Sequence, residues 1–340
     1  MAQSGQKVWS RPGVAGRPAL GAPSQEGIVL ILSALLFVGF SVGLPGFLTS
    51  ANIAALLKSV SVLGILGLGM GLVVLGRGID LSMVSTMVVS VSWAMVLPTE
   101  GWAFPAALLA AGLFAVAVGC VTGVLTAYAE IPSIFTTLAM SAVVYGVGRT
   151  FFFQVDGQNV PAGEAWFEFI GHGRLLGVPM PIVAFGLLAL LLGLLLNRTR
   201  FGRFVYAVGD NPLAARLTGL PYRKVVVATF VGSSVIAYLA GLVMAASVSQ
   251  ISTRLYTSTM IYDVLLVVVL GGIGLSGGRG GVRNILVGTM LVGILLNGMT
   301  IMDLSYTAQN IVKGVILLVA ILIDTIVNPR NEQTSQQGDI

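Results

Sequence analysis

Apolar residues in this chain come in long runs, and polar residues fill the gaps between them. Ten runs stand at roughly 28–44, 53–75, 80–97, 104–128, 131–149, 181–196, 225–248, 262–275, 285–302 and 310–327. A helix needs about 20 apolar residues to cross a hydrocarbon core, and most of these runs meet or approach that length. One apolar run near the start would suit a signal peptide, but here the runs recur to the end of the chain. The pattern predicts an all-α polytopic membrane protein with about ten transmembrane helices.

Charge in the gaps orients those helices, because basic residues beside membrane spans collect on the cytoplasmic side. Residues 1–26 carry Lys7, Arg11 and Arg17 among Gly, Pro, Ser and Gln, and read as a flexible cytoplasmic tail. Residues 197–224 hold six of the eighteen basic residues (Arg198, Arg200, Arg203, Arg216, Arg223 and Lys224) against Asp210, and 276–284 hold Arg279 and Arg283. Both segments read as internal. The gap at 98–102 has no basic residue, and 150–180 sets Asp156, Glu164 and Glu168 against Arg174 with Trp166 and Phe167 as interface anchors, so both read as external. Ten spans with both ends inside satisfy all these signs, making 27–328 the membrane domain and 329–340 a cytoplasmic C-terminal tail.

Composition excludes several classes. Only 9% of residues are charged, where soluble chains carry about 25%, and the mean hydropathy is +0.96. The net charge of +5 follows from the cytoplasmic bias and requires no nucleic acid. One cysteine, Cys120, and one histidine, His172, supply neither a disulfide nor a metal-ligand set. No nucleotide-binding G-x-x-x-x-G-K-[ST] occurs. "GLSG" at 274–277 imitates an intramembrane serine nucleophile, but no histidine follows it to serve as base. The chain is expected to be no enzyme and to carry no cofactor.

Four polar or glycine-rich motifs interrupt the apolar pattern. In "GDNPLAARLTG" (209–219), Asn211 is a good N-cap, Pro212 suits the first helical position, and Gly219 suits the left-handed residue that stops a helix. These ends define about two turns, too short to persist alone, so the helix must pack on something. Ala214 and Ala215 leave one side slim, and Arg216 is free to pair with an acid on a partner. The plainer reading is a loop with one stray turn.

In "GRGIDLSMVS" (76–85), Gly76 and Gly78 loosen a helix end and Asp80 can cap the next helix. It is either a simple cap or a break inside the membrane whose freed backbone lines a substrate route, with Arg77 neutralising Asp80. Ser82, Thr86, Ser90 and Trp93 follow at steps of 4, 4 and 3 and share a helix face. That face suits helix packing or a translocation pathway in which Trp93 stacks on a ring. Thr136 and Thr137 in "IPSIFTTLAM" (131–140) and the intramembrane amide Asn297 join the same pathway candidates. "GGIGLSGGRGGVRN" (271–284) is the densest glycine stretch. Its flank "VVLGGIGLS" (268–276) matches "VVLGRGIDLS" (73–82) at eight positions once Arg77 is gapped, through duplication or through chance likeness of two glycine-rich helix ends.

These motifs together resemble the permease subunits of bacterial ABC importers. Ala214-Ala215-x-x-x-Gly219 is similar to the heart of that family's "EAA" loop, with Leu213 where the glutamate stands. "GRGIDLS" resembles the Gly-Gly-Ile-Asp-Leu-Ser signature of the monosaccharide branch, with Arg77 in place of a glycine. "IPSIFTTL" resembles that branch's Ile-Pro-x-Phe-Ile-x-Thr-Leu segment with Ile134 and Phe135 transposed, and "GGIGLSGGRG" resembles its Gly-Gly-x-x-Leu-x-Gly-Gly-x-Gly. The resemblance implies an ABC importer permease fold in a bacterial inner membrane, translocating a neutral monosaccharide. It implies two permease copies in the bilayer, an external sugar-binding protein, and a separate ATPase subunit that uses the ATP. Asn211, Pro212, Ala214, Ala215, Arg216 and Gly219 become the ATPase-coupling residues.

The rival is an ion-coupled secondary transporter, which keeps ionisable groups inside the membrane. Here Asp263, Asp303 and Asp324 fall at predicted span ends, Lys58 can snorkel, and only Asp80 with Arg77 reads as deep. A passive structural scaffold has no need of the glycine breaks.

Overall fold

A computed structural model of the protein describes residues 25–327; the expected tails at 1–26 and 329–340 lie outside them except for Gln25 and Glu26, which begin α1. Thirteen helices follow in order among the described residues: α1 (Gln25–Gly43), α2 (Ser50–Leu75), α3 (Met83–Val96), α4 (Phe104–Ala127), α5 (Ser133–Val147), α6 (Ala165–His172), α7 (Met180–Arg198), α8 (Arg200–Asp210), α9 (Pro212–Leu217), α10 (Tyr222–Val248), α11 (Met260–Leu270), α12 (Val282–Ile301) and α13 (Tyr306–Val327). Among the described residues, nine helical stretches are long and apolar enough to cross a membrane.

The tenth expected span is shorter than the apolar run implied. α11 has 11 residues, about 16 Å at 1.5 Å per residue, or half a hydrocarbon core. Gly272 stops it at a φ of +93°, although the apolar run continues to Leu275. The third span also starts late, because residues 76–82 are non-helical and α3 begins at Met83.

α2 and α10 form the centre of the bundle. Leu66, Leu68, Met70 and Leu75 of α2 are wholly buried, as is Phe230 of α10. Tyr238 of α10 buries its ring and donates to the Leu108 carbonyl of α4 at 2.7 Å, so its one polar atom stays satisfied. α1 and α13 lie at the periphery, with Leu35, Val42, Leu318 and Leu322 exposed on apolar faces suited to lipid or to another apolar surface.

The ends of the bundle differ. At one end, β1 (Gly157–Asn159) pairs antiparallel with β4 (Gln250–Ser252), and a two-residue hairpin, β2 (Arg174–Leu175) with β3 (Val178–Pro179), precedes α7. Asp156 fastens this end, accepting from Arg149 and Arg254 at 3.1 Å each and from the Thr253 hydroxyl at 3.2 Å. The opposite end gathers the 128–132 turn, α8 and α9, and the glycine loop 271–281, joined by Arg216–Glu130 and Tyr206–Gly280 contacts. The segments read as external and internal from charge thus collect at opposite ends.

Candidate coupling and translocation elements

The short helix forms at the expected residues, for the expected local reasons. α8 starts on Thr199, whose hydroxyl accepts from the Gly202 amide, and stops at Asn211, which is extended at φ −149° and ψ 96°. The Asn211 side chain accepts from the Ala214 amide at 2.9 Å, and Pro212 fills the first position of α9. At the other end Gly219 takes φ +77°, its amide bonds the Arg216 carbonyl, and the Leu220 amide reaches back to the Ala215 carbonyl. Those two reversed bonds form a Schellman motif.

The slim face points inward. Ala215 is buried against its own chain, while Ala214 and Leu213 are exposed and Leu217 is 79% exposed. The outward strip is therefore Leu213–Ala214–Leu217, and the Ala214–Ala215 pair does not form one free surface. Arg216 is satisfied within the chain, 3.1 Å from Glu130 and over the Tyr222 ring at 4.3 Å, so it needs no partner acid. Glu130, which also lies 3.9 Å from Arg223, was not singled out from sequence, although it is the one acid in the 128–132 turn.

Asp80 is buried and accepts three hydrogen bonds. The Ser82 amide and hydroxyl donate to Oδ1 at 3.0 and 2.6 Å, and the Ser233 hydroxyl of α10 donates to Oδ2 at 2.7 Å. It organises the turn that leads into α3 and ties that turn to α10. Arg77 does not neutralise it: no ion pair joins the two, and Arg77 has no side-chain hydrogen bond, ion pair or ring contact with any described residue. The break's backbone is held by α5, where Ser133 Oγ accepts from the Ile79 amide at 3.1 Å and Thr137 Oγ1 donates to the Ile79 carbonyl at 3.2 Å. A non-helical segment inside a bundle needs such partners, because an unpaired buried amide costs several kcal/mol in hydrocarbon.

The other pathway candidates are packed or bonded within the chain. Ser82, Thr86 and Ser90 are buried, with Thr86 and Ser90 bonded to carbonyls one turn back on α3. Trp93 stacks on Phe152 at 4.3 Å between centroids, so an aromatic already occupies one ring face. Thr136 is buried at the start of α5. Asn297 exchanges two amide hydrogen bonds with Asn52, at 3.0 and 2.9 Å, fastening α12 to α2.

The two glycine-rich breaks end their helices in one manner. After α2, the Arg77 amide bonds Val74 and the Gly78 amide bonds Val73; after α11, the Gly272 amide bonds Val269 and the Ile273 amide bonds Val268. The left-handed residue is Arg77 (φ +68°) in the first and Gly272 (φ +93°) in the second. The structural match therefore pairs Arg77 with Gly272 without a gap, and it places an arginine in a conformation that costs a non-glycine residue about 1–2 kcal/mol.

Those breaks meet the α8–α9 unit. The Gly278 amide donates to the Leu75 carbonyl at 3.0 Å, and a side chain on Gly209 would overlap both that carbonyl and Gly278. Beside this junction lies a cavity of about 540 Å³ lined by Arg77, Glu130, Ser133, Asn211 and Arg216 among others. Its walls are the first break, the turn into α5, α9 with its cap Asn211, and the first half of α10.

A buried ion pair was missed. Lys313 of α13 lies 2.9 Å from Asp263 of α11 and donates to Thr259 Oγ1 at 2.9 Å, with 6% and 14% of the two charged side chains exposed. Asp263 stands in the first turn of α11, at the span end as expected, and the addition is its buried partner Lys313. The signal available was Lys313 itself, inside the last apolar run.

Residues 52–321 match the family model described as "Branched-chain amino acid transport system / permease component". The chain is 35% identical over 285 residues to the ribose import permease protein RbsC of Escherichia coli (strain K12), covering 82% of this chain and 87% of that protein. It is 33% identical over 301 residues to the L-arabinose ABC transporter permease protein AraH of Azospirillum brasilense, covering 88% and 87%. It is also 32% identical over 313 residues to the fructose import permease protein FrcC of Rhizobium meliloti, covering 88% and 85%. No solved structure gives a significant match.

Proposed function

The chain belongs to the family of branched-chain amino acid transport system permease components, and we propose that it is the membrane-spanning subunit of an ATP-driven importer of a neutral monosaccharide. Pentose and hexose permeases both stand among its relatives, so the substrate class is a small neutral sugar. Two copies form the pathway in a bacterial inner membrane with both termini cytoplasmic. A separate ATPase docks on α9, and an external binding protein delivers the sugar to the end carrying β1 and β4.

The observation that carries this reading is the position of α9. It is a capped helix that presents Leu213 and Leu217 outward, and through α8 it abuts the junction where both breaks meet. Hydrolysis on a partner can bias the pathway only through contacts that differ between two states, and this joint is where such a difference would enter.

The test is sugar uptake into proteoliposomes holding this chain, the ATPase and the binding protein. Accumulation should require ATP and ignore an imposed proton or sodium gradient. Accumulation on a gradient without ATP would replace this reading with the ion-coupled one.

A further inference from the structure

The cavity between the first break and α9 takes no part in the proposed coupling, and Arg77 gives it a role. The Arg77 side chain is half-buried in the cavity lining and has no protein partner among the described residues. Its backbone sits at φ +68°, where the second break uses a glycine. The Schellman bonds of the Arg77 and Gly78 amides hold this backbone and Gly277 packs beside its Cβ, but the guanidinium takes part in neither. The only acid lining the cavity, Glu130, is already engaged by Arg216 and approached by Arg223. Among the residues that line the cavity, the Arg77 guanidinium is thus the one charge without a charged partner.

We infer that this cavity is a binding site for a phosphate monoester, held by the Arg77 guanidinium. Guanidinium is planar and always charged, and it meets phosphate oxygens through paired N–H donors. Ser133 and Asn211 also line the cavity; their oxygens accept from the Ile79 and Ala214 amides, which leaves the Ser133 hydroxyl proton and the Asn211 side-chain N–H groups to donate. At about 540 Å³ the cavity lies within the roughly 300–1,000 Å³ range of small-molecule sites.

The ligand comes from the cytosol. The cavity lies at the end of the bundle that gathers the 128–132 turn, α9 and the glycine loop, the end read as internal. The cytosolic monoester of matching size is the phosphorylated form of the imported sugar, made by a kinase reaction that consumes the transported product. Seated between the break and α9, it would brace those two walls and slow the next transport cycle. This source rests on the cytoplasmic orientation proposed above; the site itself does not.

The experiment measures binding of ribose 5-phosphate, inorganic phosphate and ribose to the permease–ATPase complex in phosphatidylcholine nanodiscs, where both faces are open and orientation plays no part. Saturable binding of at least one phosphate ligand is expected, with none for ribose. The arm that binds more tightly separates sugar phosphate from free phosphate. Arg77→Gly suits the left-handed backbone and should keep the fold while weakening binding at least tenfold; Arg77→Lys should weaken it less. No saturable phosphate binding at millimolar concentration, or equal binding by Arg77→Gly, would overturn the site. Loss of the signal on adding phosphatidylglycerol would assign it to a lipid headgroup and overturn the cytosolic ligand.

Discussion

The amide of Gly278 donates a 3.0 Å hydrogen bond to the carbonyl oxygen of Leu75, joining the loop after α11 to the last residue of α2. Gly209, one residue from the end of α8, packs on the same oxygen so closely that no Cβ fits. Three backbone segments from distant parts of the sequence thus touch without intervening side chains. Force applied to α8 and α9 reaches both breaks through contacts that have almost no slack.

Gly209→Ala tests the junction. Its methyl has nowhere to go but into backbone, and overpacking of this kind costs about 1–3 kcal/mol. The variant should insert and bind its ATPase, hydrolyse ATP, and lose at least tenfold in sugar uptake. Uptake and hydrolysis measured on the same proteoliposomes check this, and wild-type uptake by the variant would remove the junction from the mechanism.

The outward strip of α9 makes a second prediction. Leu217→Glu places a charge at the proposed docking surface, where a desolvated unpaired charge costs on the order of 2–5 kcal/mol of binding. Normal membrane abundance with loss of ATPase co-purification is expected. Ala215→Glu should instead lower abundance, because Ala215 packs inside its own chain. An ATPase that still co-purifies with Leu217→Glu would mean that it docks elsewhere.

How much of this was legible in the sequence depends on how local the cause is. The ends of α9 follow from Asn211, Pro212 and Gly219, each acting within four residues of itself, and these were readable. The Asn52–Asn297 clasp spans 245 positions and the Lys313–Thr259 contact spans 54, and no local pattern announces either. Arg77 hid the match between the breaks because letters compare side chains, whereas a Schellman motif is made by backbone. The run at 262–275 read as a full span because its glycines count as apolar, although Gly271 and Gly272 end the helix there.

Asp156 gives a pH dependence at the end that holds β1 and β4. The hydrogen bond from Arg254 is the largest influence on its carboxyl, and with Thr253 and Arg149 it holds the pKa below the usual carboxylate range against partial desolvation. A depressed folded pKa contributes stability that is present above the unfolded value of about 3.9 and is lost as pH falls through the folded value. Amide exchange at 157–159 and 250–252, corrected for intrinsic rate, should therefore accelerate as pH drops below about 4. In Asp156→Asn that acceleration should be absent. A pH response unchanged by the substitution would place the titrating group elsewhere.

Lys313 and Asp263 bear on the energy source. A buried ion pair within the bundle is what an ion-coupled transporter would use, and it is also a way to fasten α13, whose outer face is otherwise exposed, to α11. The two roles separate under substitution. Removing one partner leaves a buried charge unpaired, which costs about 3–5 kcal/mol, whereas replacing both by apolar residues of similar volume is often neutral. Lys313→Met alone should thus lower abundance and thermal stability, and Lys313→Met with Asp263→Leu should restore both. A clamp needs only the packing, so the double variant should accumulate sugar with ATP at a rate within about threefold of wild type, a rate change of less than 1 kcal/mol. A coupling pair needs the charges, so an ion-driven carrier would lose accumulation entirely while remaining folded. A stable, correctly inserted double variant that fails to transport in the presence of ATP, its ATPase and its binding protein would move these two residues from the scaffold to the mechanism.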